Sequence, residues 1–262
     1  MLYNLSRNEV PYYLHYYKVT EGYRQGGTYL ECFKSMFTKF HNENVNAFTS
    51  LFNSIISTYG LIYVYYNNFE IIPILIWWFG ITLNSLMSFG FHTFSPIDKK
   101  TFNIWRNLDV NSIYISATCQ SICFSILFLP FHLFITNIII LFILNFYSIL
   151  KFIKLNTDKH IQINEQVFII FLYIITVIFP IIYNNLYTYS SINCYKYLYN
   201  IIYTIFITSL VYGLRTPEVF FKDGTFNKIG HSHNMMHIGV SLYFYFQFMF
   251  IKEYYIYKNI YI

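Results

Sequence analysis

Seven runs of mostly apolar residues follow one another along the chain, at about 46–66, 72–94, 108–129, 131–153, 165–187, 195–215 and 232–251. A helix crosses the hydrocarbon core of a bilayer in about 20 such residues, and each run reaches that length. Pro130 marks a tight connection after the third run, and Pro180 inside the fifth predicts a kink. About forty mixed polar residues precede the first run, with no pattern of a cleavable signal peptide. No linker or repeat interrupts the series. The pattern predicts an all-α, multi-pass integral membrane protein with seven transmembrane helices. It forms a single domain over 1–262, and residues 1–45 are a segment outside the membrane.

Composition agrees. Of the 262 residues 56% are hydrophobic and 11% charged, against about 25% charged in soluble domains. So much apolar surface does not fit inside one soluble core of this size. The excess of Asn, Ile, Tyr, Phe and Lys looks like coding bias, so individual Tyr and Phe residues carry little weight. Net charge is +5, but the basic residues sit between apolar runs and form no face for nucleic acid. Their distribution gives orientation. Only Lys196, Lys252 and Lys258 of the 17 fall on one side. The other side holds Arg7, Lys18, Arg24, Lys34, Lys39, Lys99, Lys100, Arg106, Lys151, Lys154, Lys159, Arg215, Lys222 and Lys228. Basic residues mark the cytoplasmic side, which puts the N-terminus inside and the C-terminus outside, opposite to G-protein-coupled receptors. The four cysteines suggest no disulfide framework. Cys119 and Cys123 read as small side chains at a helix contact.

Against this apolar background a few polar residues stand out. Ser88 and His92 lie four apart near the end of the second run, Asp109 near the start of the third, and His233 and His237 four apart at the start of the seventh. At 1.5 Å per residue the charge count puts them within about 15 Å of one charged layer. Ionisable groups inside a membrane are costly and read as functional. Residues four apart share a helix face, so His233 and His237 can bind one ion together, whereas His231 points elsewhere. Three His ligands leave one tetrahedral position for water, the pattern of catalytic Zn2+. Asp109 would accept or orient a proton of that water, and Ser88 would hydrogen-bond the water or a substrate oxygen. Plainer readings compete: helix-to-helix hydrogen bonds for His92, a helix start for Asp109, a packing residue for Ser88. His15, His41 and His160 read as solvated, and His132 lies at the wrong depth. Tyr254, Tyr255, Tyr257 and Tyr261 are either an interfacial belt or random enrichment.

Three stretches carry a family resemblance over about Pro11 to Gln247: "EGYRQGGTYLECFKSMFTKFHNENVN", "SFGFHTFSP" and "RTPEVFFKDGTFNKIGHSHNMMHIGV". They resemble the progestin and adipoQ receptor family, which includes the hemolysin III proteins and the adiponectin receptors. The spacing of Glu43, then Ser88 and His92, follows the family pattern. The resemblance implies that His92, His233 and His237 ligate zinc, with Asp109 reaching it through water and Ser88 behind. It also implies an internal cavity for lipid chains, with hydrolysis of ceramide-like amides. One run departs: "DVNSI" begins at Asp109, with Val110 and Ser112 where the family commonly has Tyr and Gly. Glu43 is expected either to cap the first helix or to contact the cavity mouth.

The expectation is therefore a zinc-dependent hydrolase acting within the membrane on a lipid amide. The main alternative is a lipid or hormone receptor with structural zinc, its ligand ceramide-like, a fatty acid or a sterol. Membrane lysis ranks low because no pore-lining charge series is present, and haem ligation is disfavoured by the four-apart pair. Protein partners, oligomeric state and the membrane occupied are not legible.

Overall fold

The computed structural model describes residues 1–154, 159–187 and 191–261, with side chains described outside 151–167 and 260–261. The side chains of Lys151, Lys154, Lys159, His160 and Tyr261, used in the sequence reading, fall outside the described residues.

Helices dominate. All seven apolar runs form helices: α2 (Asn44–Tyr66), α3 (Ile71–Phe94), α4 (Lys99–Phe128), α5 (Phe131–Lys154), α6 (Lys159–Tyr187), α7 (Ile192–Gly213) and α8 (Ser232–Tyr261). An eighth, α1 (Tyr29–Thr38), lies in the segment read as polar. Its start is a capping box: the Thr28 hydroxyl accepts from Glu31 N and Glu31 accepts from Thr28 N. Two short strands, β1 (Leu2–Leu5) and β2 (Tyr23–Gln25), pair antiparallel before it. Helix α4 starts nine residues ahead of the predicted run, so Asp109 lies in its third turn and not at its start. That removes the helix-start reading of Asp109. Helix α6 continues past Pro180.

Five helices among the described residues are long and apolar enough to cross a membrane: α2, α3, α4, α5 over Phe131–Leu150 and α6 over Phe168–Tyr187. Large apolar side chains such as Phe131, Ile139, Phe142, Phe146, Phe168 and Phe171 are exposed on them. That is the surface expected where lipid, not water, is the solvent.

The chain divides into two compact units. One comprises Met1–Ile56, Asn84–Val110 and Tyr199–Gln247; the other Ser57–Leu83, Asn111–Leu198 and Phe248–Ile262. The second unit has an apolar interior around Trp77, Ile81, Phe124 and Phe250. Gly80 in α3 allows close approach to Cys119 in α4, so Cys119 is a small residue at a helix contact, as its sequence suggests. Asn137 is satisfied there by the Ser121 and Ser125 hydroxyls, at 2.9 and 2.7 Å. Tyr254 donates to Leu127 O and Tyr255 to Glu70 O, and the Tyr255 ring stacks on Phe69 at 4.6 Å.

The first unit differs in kind, because its interior is polar. His92, Asn46, Ser50, Asn53, Ser88, Asn234 and His237 are all buried. Gly90 in α3 lets the Trp105 ring of α4 lie against its backbone; any Cβ there would collide with that ring. This contact sets the final turn of α3, which carries His92.

Candidate metal centre

The predicted residues converge in the first unit. Near the end of α3, Ser88 and His92 project one turn apart on a shared face. The first two turns of α8 supply His233 and His237. These three imidazoles are grouped so that one ligand nitrogen from each lies within 4.8 Å of the others. Their ring centroids form a near-regular triangle: 5.3 Å from His92 to His233, 4.7 Å from His92 to His237 and 5.0 Å from His233 to His237. Asp109 joins from α4 through a hydrogen bond with Ser88 and interacts electrostatically with His92.

The free lone pairs point to a cation. His92 Nδ1 lies 2.8 Å from a Glu43 carboxylate oxygen. A carboxylate only accepts, so His92 carries its proton on Nδ1 and leaves Nε2 as a ligand atom. His237 Nδ1 lies 3.3 Å from Ser50 Oγ, while its Nε2 is buried without a hydrogen-bond partner. His233 Nε2 is likewise buried and unpartnered. Orphaned buried ring nitrogens are destabilising unless something binds them. Nitrogens around one tetrahedral zinc stand roughly 3.4 Å apart, from a bond length of about 2.1 Å. The three rings therefore reach one ion by closing inward by an ångström or so. The donor set fits a metal with borderline-soft preferences.

Sequence reasoning missed several supports. Glu43 stands immediately before α2, where its carbonyl accepts from Ala47 N at 3.0 Å, while its carboxylate holds His92 and accepts from Asn46 Nδ2 at 2.9 Å. Burial by itself would raise the Glu43 carboxyl; its interaction with His92 and the Asn46 amide outweighs this and holds the group below the usual carboxylate range. This is the carboxylate–imidazole pair that orients metal-binding histidines and raises their basicity. Ser50 lies 3.0 Å from Ser88 Oγ as well as close to His237, linking α2, α3 and α8. Asn234 Nδ2 donates to Asn46 Oδ1 at 2.6 Å, which docks the start of α8 on α2. A signal for these residues exists in the sequence: Glu43, Asn46, Ser50 and Asn53 recur at helical spacing and form one polar stripe along the first part of α2.

Other histidines sort differently. His41, read as solvated, is buried; its Nδ1 accepts from Glu43 N at 3.2 Å and burial pulls its pKa down to about 2. His15 is half-buried, with Nε2 3.0 Å from Val10 O. His231 is outside the metal-binding group, as its spacing predicts, and stacks on Tyr16 at 5.2 Å. Buried Glu218, from the Pro-Glu loop, accepts from Ser232 Oγ at 2.7 Å and anchors the first residue of α8.

Buried Arg24 supports the same end of α3. Its guanidinium donates to the carbonyls of Cys32, His92 and Thr93 and to the Ser35 hydroxyl. Carbonyls in the last turn of a helix have no intrahelical partner, and Arg24 satisfies those of His92 and Thr93. Burial pulls Arg24 down to about 10, so it stays charged at neutral pH.

The comparison with known families agrees with this arrangement. No curated protein matches the chain. A family profile described as haemolysin-III related matches residues 38–248. That span holds Glu43, Ser50, Ser88, His92, Asp109, His233 and His237, and it covers most of the chain. The protein is a multi-pass integral membrane protein and belongs to the haemolysin-III-related family, the group that its Ser-x3-His and Ser-His-x3-His segments resemble.

Proposed function

We propose that this protein is a zinc-dependent membrane hydrolase of lipid amides, of the ceramide-like class. One observation carries the reading: three imidazoles with orphaned or freed ring nitrogens share a site with a carboxylate, Asp109, that is no part of the ligand set. A purely structural metal clip has no use for that acid. In this reading α7 and α8 also cross the bilayer, giving seven spans. Their lower apolarity follows from the polar residues they carry, including the His pair itself. The basic residues put the N-terminus and the site on the cytoplasmic side.

His92, His233 and His237 would hold the ion. When bound, zinc lowers the pKa of a water to near 7 and polarises a carbonyl. Asp109 takes up the proton released as water adds to the amide carbon, and returns it to the departing amine. Ser88 keeps the Asp109 carboxylate aimed, and Ser50 ties Ser88 to the His237 side of the site. Glu43 fixes the His92 tautomer. The acyl chain would lie among the helices, with water entering from the polar end.

A second reading, a lipid-sensing receptor with structural zinc, is favoured by the run that follows Asp109. There Val110 and Ser112 replace the residues the family commonly has. Turnover of long-chain ceramides by purified protein and its Asp109→Asn variant separates the two. Hydrolysis lost in Asp109→Asn with full metal content supports the hydrolase. Hydrolysis that survives loss of His237 and of the metal overturns it.

A further inference from the structure

The family profile begins at residue 38, yet the chain ahead of it is folded onto the metal centre. Residues 1–28 form a compact cap with its own small core of Val10, Leu14, Val19 and Tyr23. It is fastened to three connections, those between α1 and α2, between α3 and α4, and between α7 and α8. Gly26 N donates to Pro96 O at 2.7 Å and Asn42 N to Gly22 O at 3.2 Å. Thr20 N donates to Asn227 Oδ1 at 2.8 Å, and Lys18 Nζ to Phe221 O at 2.8 Å. So many independent ties hold one surface of the cap in a fixed place.

What that surface presents is Tyr16. Its ring packs on His231 and on the ligand His233, both at 5.2 Å between centroids. Its side chain interacts electrostatically with Glu43, the carboxylate that holds His92. Tyr16 backbone N in turn donates to Tyr23 Oη at 3.0 Å, which locks the residue to the core of the cap. One side chain thus touches both halves of the ligand set: His233 through its ring, and His92 through Glu43. Beside it, Arg24, Asn42, Glu43 and Ser95 border a cavity of about 10 Å³, room for roughly one water.

We propose that the N-terminal cap is a working part of the metal centre, with Tyr16 as a positioning residue that covers His233 and holds Glu43 against His92. The inference rests on the metal-centre reading, but it concerns residues that lie outside the family profile. A tyrosine suits the place because it joins an apolar plate to a polar tip. The plate excludes water from two imidazoles, and the polar tip acts on a carboxylate that already accepts from His92 and Asn46. Partners of metal ligands commonly set affinity by about 10- to 100-fold.

The test uses the full-length protein in detergent, with Tyr16→Phe, Tyr16→Ala and, as a control, Tyr12→Ala, whose side chain is exposed. On zinc-loaded protein, chelator-driven metal release should be about threefold to tenfold faster in Tyr16→Phe. It should be at least tenfold faster in Tyr16→Ala, and unchanged in Tyr12→Ala. On metal-free protein, carbethoxylation of His233 should be at least about tenfold faster in Tyr16→Ala than in wild type, and near wild type in Tyr16→Phe, which keeps the ring. Wild-type rates of both release and carbethoxylation in Tyr16→Ala would overturn the proposal. If Tyr16→Ala does not fold, wild-type metal release in Tyr16→Phe does so. A wild-type protein that takes up no zinc counts against the metal reading, and carbethoxylation still decides whether the cap covers the site.

Discussion

Glu43 Oε2 accepts a hydrogen bond from His92 Nδ1 at 2.8 Å, and the two residues sit at the approach to α2 and the last turns of α3. The pair fixes which nitrogen of His92 faces His233 and His237. It makes the metal centre depend on a residue that is not itself a ligand.

Glu43→Gln keeps the shape and can still accept from His92, but it loses the charge. Zinc affinity of the purified protein, measured by competition with a chelator, should fall by about 10- to 100-fold. The fold should survive, because Asn46 keeps Asn234 and His41 keeps Asn44 as hydrogen-bond partners. Unchanged affinity would mean that the carboxylate serves packing alone.

Arg24→Lys tests the support under His92. Lysine keeps the charge but has no planar fork to serve the carbonyls of Cys32, His92 and Thr93 together. Loss of buried, charge-assisted hydrogen bonds should cost about 2–4 kcal/mol. The readout is a lower midpoint in thermal unfolding, with earlier metal loss on heating. A wild-type midpoint would show that other contacts hold the end of α3.

His41 gives a pH dependence of known sign. Burial holds its pKa at about 2 in the folded protein, against 6.5 as the ordinary value. The unfolded chain therefore binds a proton that the folded chain refuses. The contribution of neutral His41 is fully present above pH 6.5 and is lost as pH falls from there toward about 2. The slope is about 1.4 kcal/mol per pH unit. In His41→Gln that slope should disappear from the stability-versus-pH curve between pH 6 and 4. A variant curve parallel to wild type would show that His41 titrates normally.

How far these features could be read from the sequence depends on their kind. The long helices, five of them apolar enough to cross a membrane, were legible because a helix that crosses a bilayer must satisfy its backbone internally and present apolar side chains to lipid. Both demands write long, dense runs. The clustered histidines were legible for the converse reason, since imidazoles are rare in such runs and two of them share one helix face. The start of α4 was not legible because its first turns, Lys99 to Asn107, lie outside the apolar run while still being helical. His41 looked solvated because its neighbours are polar, and nothing local reveals that a distant segment buries it. The role of Glu43 needed a tertiary contact across 49 positions. Tyr16 was the hardest of all: in a chain with 28 tyrosines no single one stands out until the fold sets it on two imidazoles.

The central claim is a metal held by His92, His233 and His237, and its most direct test is elemental analysis of the purified protein beside a His92→Ala/His233→Ala/His237→Ala variant. About one zinc per chain in the wild type, absent from a variant that still folds and inserts, is the predicted result. A wild-type protein without a transition metal, or a triple variant that retains its zinc, would contradict it.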